Sequence, residues 1–230
     1  MSITQSIKKI YTEQDDENFI PKRDCLVTII WHNIIGIPII RLMQKLQLKF
    51  HPNLITIFSL PFGLLAGYFF FINQLLYGAI FFAINMLIDS FDGKWARLTK
   101  QTSELGAKLD FHIDRIAKGS MYFGIWYSQF YLIGQWLLGT FFIGIHFVGE
   151  VFRVLFIKDT RYKTIIPHVY SYYSQFEEAY LTFFFAPLFG IVQILLPIAI
   201  ILTWISYMIL FIKQKERPDT KPDIKKILKL

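Results

Sequence analysis

Residues 89–114 read DSFDGKWARLTKQTSELGAKLDFHID and lie between two apolar runs of the chain. This segment contains four aspartates, Asp89, Asp92, Asp110 and Asp114. The first two are three residues apart and the last two are four apart, so on helices each pair lies on one helical face. A turn between the two pairs would bring these faces together, which predicts one site with four carboxylates.

Carboxylates that converge at one point repel each other, and they do not all ionise unless cations are present. Oxygen ligands in this number are typical of Mg²⁺ or Mn²⁺, and a site with two such ions would suit phosphoryl chemistry. The four aspartates therefore predict a divalent-cation site. The alternative is that they are solvated carboxylates at helix ends near a membrane, with arbitrary spacing.

The spacing of this segment resembles the signature of the CDP-alcohol phosphatidyltransferases, which are integral membrane enzymes of class I. The resemblance implies transfer of a substituted phosphate group from a CDP-alcohol to an acceptor hydroxyl, with release of CMP, in phospholipid biosynthesis. It also implies an all-α membrane fold and two bound Mg²⁺ or Mn²⁺ ions. Every fixed position of the signature is filled, by Asp89, Asp92, Gly93, Ala96, Arg97, Gly106, Asp110 and Asp114.

The aspartates have different expected roles under this resemblance. Asp89, Asp92 and Asp110 are candidates for the main metal ligands. Asp114 is implied as the general base that takes the proton from the acceptor hydroxyl, and it is expected to touch a metal as well.

Small residues and one arginine fill the rest of the signature. Gly93 has no side chain and lets the backbone approach a nucleotide closely, and Ala96 is similarly small. Arg97 can pair with a phosphate in bidentate fashion, although it would also serve as a positive charge at the membrane surface. Gly106 would permit tight packing near the nucleotide.

A second match to the family begins at Pro52, where Pro52-Asn53-x-x-Thr56 opens an apolar run. In the family, the Asn and Thr of this motif help to hold the cytidine nucleotide. By the alternative interpretation, Asn53 is a helix cap and the Thr56 hydroxyl bonds back to its own helix.

The composition indicates a membrane protein, because 54% of the residues are hydrophobic and 24 are Phe. The single cysteine, Cys25, excludes an intramolecular disulfide and a cysteine-based zinc site within one chain. Residues 1–24 are polar and lack the apolar core of a secretory signal. The net charge of +7 flanks apolar runs, which favours an anionic membrane surface over nucleic acid as the partner.

The fold class predicted from these runs is all-α, an integral membrane bundle of six transmembrane helices with an N-terminal amphipathic helix at the interface. The amphipathic helix falls within residues 24–50, where Gly36 and Pro38 interrupt the apolar run and basic residues then recur every four positions. A short seventh membrane helix is the alternative there. The six spans are predicted near 54–71, 75–88, 104–132, 135–157, 179–190 and 194–212.

The predicted domain organisation has three parts. Residues 1–50 form a cytosolic arm and the interfacial helix, residues 51–212 the transmembrane transferase domain, and residues 213–230 a basic cytosolic tail. The positive-inside rule places both termini and the aspartates on the cytoplasmic side. The segments that would then face outward, near 72–74, 126–135 and 190–193, contain no Lys or Arg.

A phosphorylated acceptor would need cations near the aspartates. Arg115 follows Asp114 directly and Lys118 lies four residues after it, but both could serve membrane-surface charge balance alone. The candidates are Arg115, Lys118, Arg153, Lys158 and Arg161.

The sequence leaves the identities of the donor and the acceptor open. CDP-diacylglycerol or a smaller CDP-alcohol could be the donor, and glycerol phosphate, inositol phosphate, serine or a lipid alcohol the acceptor. Family resemblance implies a homodimer. The alternatives in function are a membrane prenyltransferase, whose Asp-rich motifs usually lie on well-separated helices, and a non-enzymatic divalent-cation transporter, whose carboxylates should lie near the membrane midplane.

Overall fold

The structure is a computed structural model that describes residues 35–46, 50–157 and 175–215. These residues form helices and connecting turns, without a strand among them, so the predicted all-α class is confirmed. The α-helices are α1 (Ile37–Lys45), α2 (Pro52–Phe71), α3 (Leu75–Leu98), α4 (Glu104–Trp126), α5 (Trp136–Phe156), α6 (Gln175–Tyr180), α7 (Ala186–Phe189) and α8 (Val192–Lys215). The π-helical segments Tyr127–Tyr131 and Leu181–Phe185 follow α4 and α6.

Within the described ranges, four helices are long and apolar enough to cross a membrane: α2, α3, α5 and the Val192–Ile212 part of α8. The two other predicted spans coincide with helical segments that do not meet the same criteria. The first half of α4 carries several charged residues, and residues 175–189 are divided among α6, a π-helix and α7.

The second span was predicted to end at Ile88, and the structure corrects this prediction because α3 continues to Leu98. The extra turns are stabilised by an apolar cluster in which Phe91 and Trp95 of α3 pack with Ile40 of α1 and Ile55 of α2. The Trp95 indole N–H also donates to a backbone carbonyl, that of residue 50, at 3.1 Å. Asp89 and Asp92 therefore lie inside a helix rather than at its end.

The chain reverses between α3 and α4 in a short turn. Lys100 adopts a left-handed backbone conformation with φ of 56°, and the Gln101 N–H donates to the Ala96 carbonyl at 2.8 Å. Ser103 caps α4, since its hydroxyl oxygen accepts the Gly106 N–H at 3.0 Å. The predicted start of this helix near Ser103 and Glu104 is confirmed.

Helices α2 and α4 approach each other through small residues, which allow close backbone contact between membrane helices. A Cβ atom on Gly67 of α2 would lie 2.6 Å from the Ser120 hydroxyl oxygen and 2.7 Å from the Ser120 backbone of α4. One turn earlier, the Ser120 hydroxyl oxygen lies 3.2 Å from the Gly63 carbonyl oxygen, although its shorter hydrogen bond goes to the Ala117 carbonyl of its own helix at 2.8 Å. This contact fixes the distance between the helices that carry the two sequence motifs.

Replacement of Gly67 by alanine should therefore lower the free energy of unfolding by about 1–3 kcal/mol, the usual cost of overpacking a tight contact. Gly119→Ala is the matched control, because a Cβ atom there would meet nothing within 4 Å. It should raise stability by about 0.4–1 kcal/mol, since alanine restricts the unfolded chain more than glycine does. Thermal unfolding in detergent compares the two, and equal shifts would contradict the close contact.

In α6, the buried carboxylate of Glu178 is the centre of a cluster of polar side chains. It accepts hydrogen bonds from the Tyr122 hydroxyl at 3.0 Å and the Thr203 hydroxyl at 2.6 Å, and it contacts the His146 ring. These partners come from α4, α8 and α5. Buried charges within a membrane protein are costly unless they are paired in this way, so this cluster ties four helices together.

Candidate active site

The carboxylates of α3 and α4 meet in the halves of these two helices that adjoin the connecting turn. Ligand oxygens of Asp89, Asp92 and Asp110 all lie within 4.8 Å of one another. Asp114 is not part of this group. Its Oδ2 atom accepts a hydrogen bond from Lys118 Nζ at 3.3 Å. The structure thus brings together three of the four predicted metal ligands, and we call these three the acidic cluster.

The acidic cluster fits a divalent cation. Asp89 Oδ1 is buried and has no hydrogen-bond partner within the described residues. Asp92 is buried at 8% exposure, and three carboxylates this close repel one another unless a cation offsets their charge. Hard oxygen donors are the ligands that Mg²⁺ and Mn²⁺ prefer.

A pocket of about 210 Å³ adjoins the acidic cluster, and Asp92 and Asp110 form part of its wall. The structure brings together here all of the residues predicted to bind a nucleotide: Asn53, Thr56, Gly93, Ala96, Arg97 and Gly106. It adds lining residues that were not predicted to bind a nucleotide: Pro52, Gln101, Thr102, Ser103 and Ala107. Pro52 and Ala107 adjoin motif positions, so proximity in sequence could have found them, whereas the other three belong to the turn between α3 and α4.

Two glycines shape the pocket in different ways. A Cβ atom on Gly106 would lie 2.9 Å from the Asn53 Oδ1 atom, so a larger residue would displace the Asn53 side chain. A Cβ atom on Gly93 would lie 3.4 Å from Arg97 Nη1, which is ordinary contact. Gly106 therefore leaves room for the Asn53 side chain, whereas Gly93 adds no side chain to the pocket wall.

The start of α2 corrects the alternative interpretation of Asn53 as a helix cap. His51 is the cap, and its Nδ1 atom accepts the Asn53 backbone N–H at 3.2 Å. The Thr56 hydroxyl reaches the Pro52 carbonyl at 3.4 Å, but its shorter hydrogen bond goes to Asp92 Oδ2. Asn53 and Thr56 are thus both pocket residues.

The predicted acceptor cations lie in different surroundings. Arg115 is exposed, stacks over the Phe111 ring at 3.2 Å and donates to the Phe111 carbonyl. Arg153 lies 3.7 Å from Glu150, and its Nε atom is buried without a hydrogen-bond partner in the described part of the chain. Lys158 and Arg161 lie outside the described residues.

Fold and site together define a helical membrane protein with an acidic cluster beside a pocket lined mainly by small residues. Residues 49–212 match the family model described as CDP-alcohol phosphatidyltransferase. The chain belongs to the CDP-alcohol phosphatidyltransferase family, and it is a membrane transferase of phospholipid biosynthesis. The transferase prediction is thereby confirmed, in preference to the prenyltransferase and transporter alternatives.

Two curated proteins and one solved structure illustrate the relationship. The chain is 28% identical over 174 residues to archaetidylinositol phosphate synthase of Pyrococcus horikoshii, covering 72% of this chain and 84% of the relative. It is 32% identical over 80 residues to an uncharacterised protein of Aquifex aeolicus, covering 35% and 40% of the two chains. The fold matches a crystal structure of Mycobacterium tuberculosis phosphatidylinositol phosphate synthase with CDP-DAG bound, with a TM-score of 0.56, 18% identity and coverage of 76% and 91%.

Proposed function

We propose that this transferase moves a lipid phosphate group from a CDP-alcohol lipid, CDP-DAG or a similar donor, to a hydroxyl of inositol phosphate, with release of CMP. The choice of a phosphorylated inositol rests on the archaeal relative, an archaetidylinositol phosphate synthase of which the match covers 84%. The observation that carries the reaction itself is the acidic cluster, because two of its members, Asp92 and Asp110, lie in the wall of the pocket that contains the predicted nucleotide residues.

Asp89, Asp92 and Asp110 are the residues that would hold divalent metal, and we propose two Mg²⁺ ions. When bound, such ions offset the charge of the two donor phosphates and of the leaving CMP. The close approach of the three carboxylates supports this assignment, because without a cation they repel each other.

Asp114 is the proposed general base. Lys118 engages its Oδ2 atom at 3.3 Å, which leaves Oδ1 for the proton of the acceptor hydroxyl. The acceptor oxygen then forms a bond to the phosphorus that carries the lipid alcohol. The bond from this phosphorus to the oxygen bridging the two phosphates breaks, and CMP leaves with that oxygen.

The pocket residues are proposed to hold the cytidine side of the donor. Asn53 and the backbone at Gly93 and Gly106 line the pocket, and Ala96 leaves room for the nucleotide. Arg97 lines the same pocket and would bind a donor phosphate in bidentate fashion. Arg115, Lys118, Arg153, Lys158 and Arg161 stay candidates for the acceptor phosphate.

The membrane arrangement is also a proposal. Six transmembrane helices would arise if α4 with its π-helical extension, and the segment from α6 to α7, also cross the bilayer. Helix α1 would lie in the interface, with Ile40 buried against the bundle and Arg41 exposed. Both termini and the acidic cluster would face the cytoplasm, and the chain would form a homodimer.

Release of CMP by the purified protein in lipid micelles with Mg²⁺ tests the proposed acceptor. CDP-DAG is supplied with inositol phosphate, glycerol phosphate, serine or unphosphorylated inositol, one at a time. We expect CMP with inositol phosphate and none above background with the others. CMP with a different alcohol would contradict the acceptor, and no CMP with any alcohol or with a smaller CDP-alcohol donor would contradict the reaction.

A further inference from the structure

We propose that Thr56 is a positioning residue for the metal ligand Asp92. This inference rests on the proposed role of Asp92 as a cation ligand. The motif at the start of α2 would then orient a ligand of the acidic cluster, in addition to lining the pocket.

The hydrogen bond between these two residues joins separate helices. The Thr56 hydroxyl in α2 donates to Asp92 Oδ2 in α3, and the two residues are 36 positions apart in the chain. Both side chains are buried, with Thr56 at 3% and Asp92 at 8% exposure. A buried hydrogen bond to a carboxylate is stronger than a neutral one and holds its geometry well.

The Asp92 carboxylate is held at both oxygens as a result. Its Oδ1 atom accepts the N–H of Gly93, and its Oδ2 atom accepts the Thr56 hydroxyl. Each carboxylate oxygen has two lone pairs, so one on each oxygen is still available to a cation. Asp89 differs, because its Oδ1 atom has no such partner among the described residues. Asp92 is thus oriented before a cation arrives.

The chemistry of a hydroxyl argues against a donating contact from Thr56 to the nucleotide. A threonine hydroxyl carries one proton, and here that proton goes to Asp92. Nucleotide phosphates have only acceptor oxygens, so they would need a proton that Thr56 has already used. The Arg97 guanidinium in the same pocket is a donor that suits them better.

Three variants separate positioning from packing. Thr56→Val keeps the shape of the side chain and removes the donor, whereas Thr56→Ser keeps the donor and removes a methyl group. Ser59→Ala is the matched control: Ser59 is also buried in α2, one turn further on, and its hydroxyl donates to the Thr56 backbone carbonyl at 2.7 Å, away from the acidic cluster.

Mn²⁺ is the probe, and its binding to each variant in detergent is followed by electron paramagnetic resonance without donor or acceptor. Thr56→Val should weaken Mn²⁺ binding by about 10–100-fold, the typical loss when a partner that orients a metal ligand is removed. Thr56→Ser and Ser59→Ala should bind Mn²⁺ as the parent does. Asp92→Asn should weaken binding at least as much as Thr56→Val.

Two results would overturn the inference. One is unchanged Mn²⁺ binding by Thr56→Val together with a raised KM for the CDP-alcohol, which would return Thr56 to the nucleotide. The other is an equal loss in all three variants, which would indicate damaged packing. Because Mn²⁺ binding is measured without substrates, a parent that binds Mn²⁺ but releases no CMP would contradict the proposed function while leaving this inference supported by the variants.

Discussion

Replacement of Asp114 by asparagine should lower the rate of CMP release by about 10²–10⁴-fold, the usual contribution of a general base. Asparagine has nearly the same size as aspartate but cannot take the proton from the acceptor hydroxyl. Asp114 lies outside the acidic cluster, so the KM for the donor should change little. The rate at saturating donor and acceptor is the measurement that isolates this step.

Glu104→Gln supplies the matched control on the same helix. It makes the same chemical change, but the Glu104 side chain is 84% exposed and pairs with Lys108, at 2.8 Å, across one turn. Exposed pairs of this kind contribute little, so this variant should release CMP at the parental rate. Full activity in Asp114→Asn, or equal losses in both variants, would remove Asp114 from its proposed role.

Replacement of Asp89 by asparagine should reduce CMP release by about 10²-fold or more. A bound metal contributes several kcal/mol to charge stabilisation in such reactions, and each 1.4 kcal/mol corresponds to a factor of ten in rate. Asp89 contributes an oxygen to the acidic cluster and carries a buried oxygen without a hydrogen-bond partner among the described residues. Loss of this ligand should also raise the Mg²⁺ concentration needed for half-maximal activity.

The melting temperature of Asp89→Asn in a chelator provides a second measurement, in which the variant should exceed the parent although its activity is lower. Without cations, the three carboxylates repel one another, and Asp89→Asn removes one of the charges. The variant should therefore unfold at a higher temperature than the parent in EDTA, by about 2–4 °C for each kcal/mol of relieved repulsion. A lower melting temperature in EDTA would show that the substitution damages the fold, and the loss of activity would then say nothing about metal.

The sequence allowed the aspartate pairs to be placed on facing helices, because spacings of three and four depend only on helical periodicity. It did not show which of the four carboxylates a neighbouring lysine would engage. Lys118 lies four residues further along α4, where an oppositely charged pair on a helix forms readily, and in the structure it engages the Asp114 carboxylate. The spacing of the aspartates does not show whether a given carboxylate will bind a metal ion or pair with a neighbouring lysine.

The sequence also did not predict where α3 ends, for a related reason. The charged residues that follow Ile88 are typical of the end of a membrane helix, but α3 continues because Trp95 packs against apolar residues of α1 and α2. Such contacts between distant parts of the chain override local patterns. The hydrogen bond from Thr56 to Asp92 and the cluster around Glu178 also depend on partners far away in sequence.

The close contact of α2 with α4 at Gly67 and Ser120 has a consequence for the behaviour of the enzyme in different bilayers. Membrane helices respond to a thicker or thinner hydrocarbon layer by changing their tilt. The backbones of these two helices are in close contact, with no large side chains between them. One helix therefore cannot change its tilt without the other. Hydrophobic mismatch should therefore rotate the pair as one body, so that Asn53 on one helix and Gly106 on the other keep their spacing when the acyl chains of the host lipids change in length.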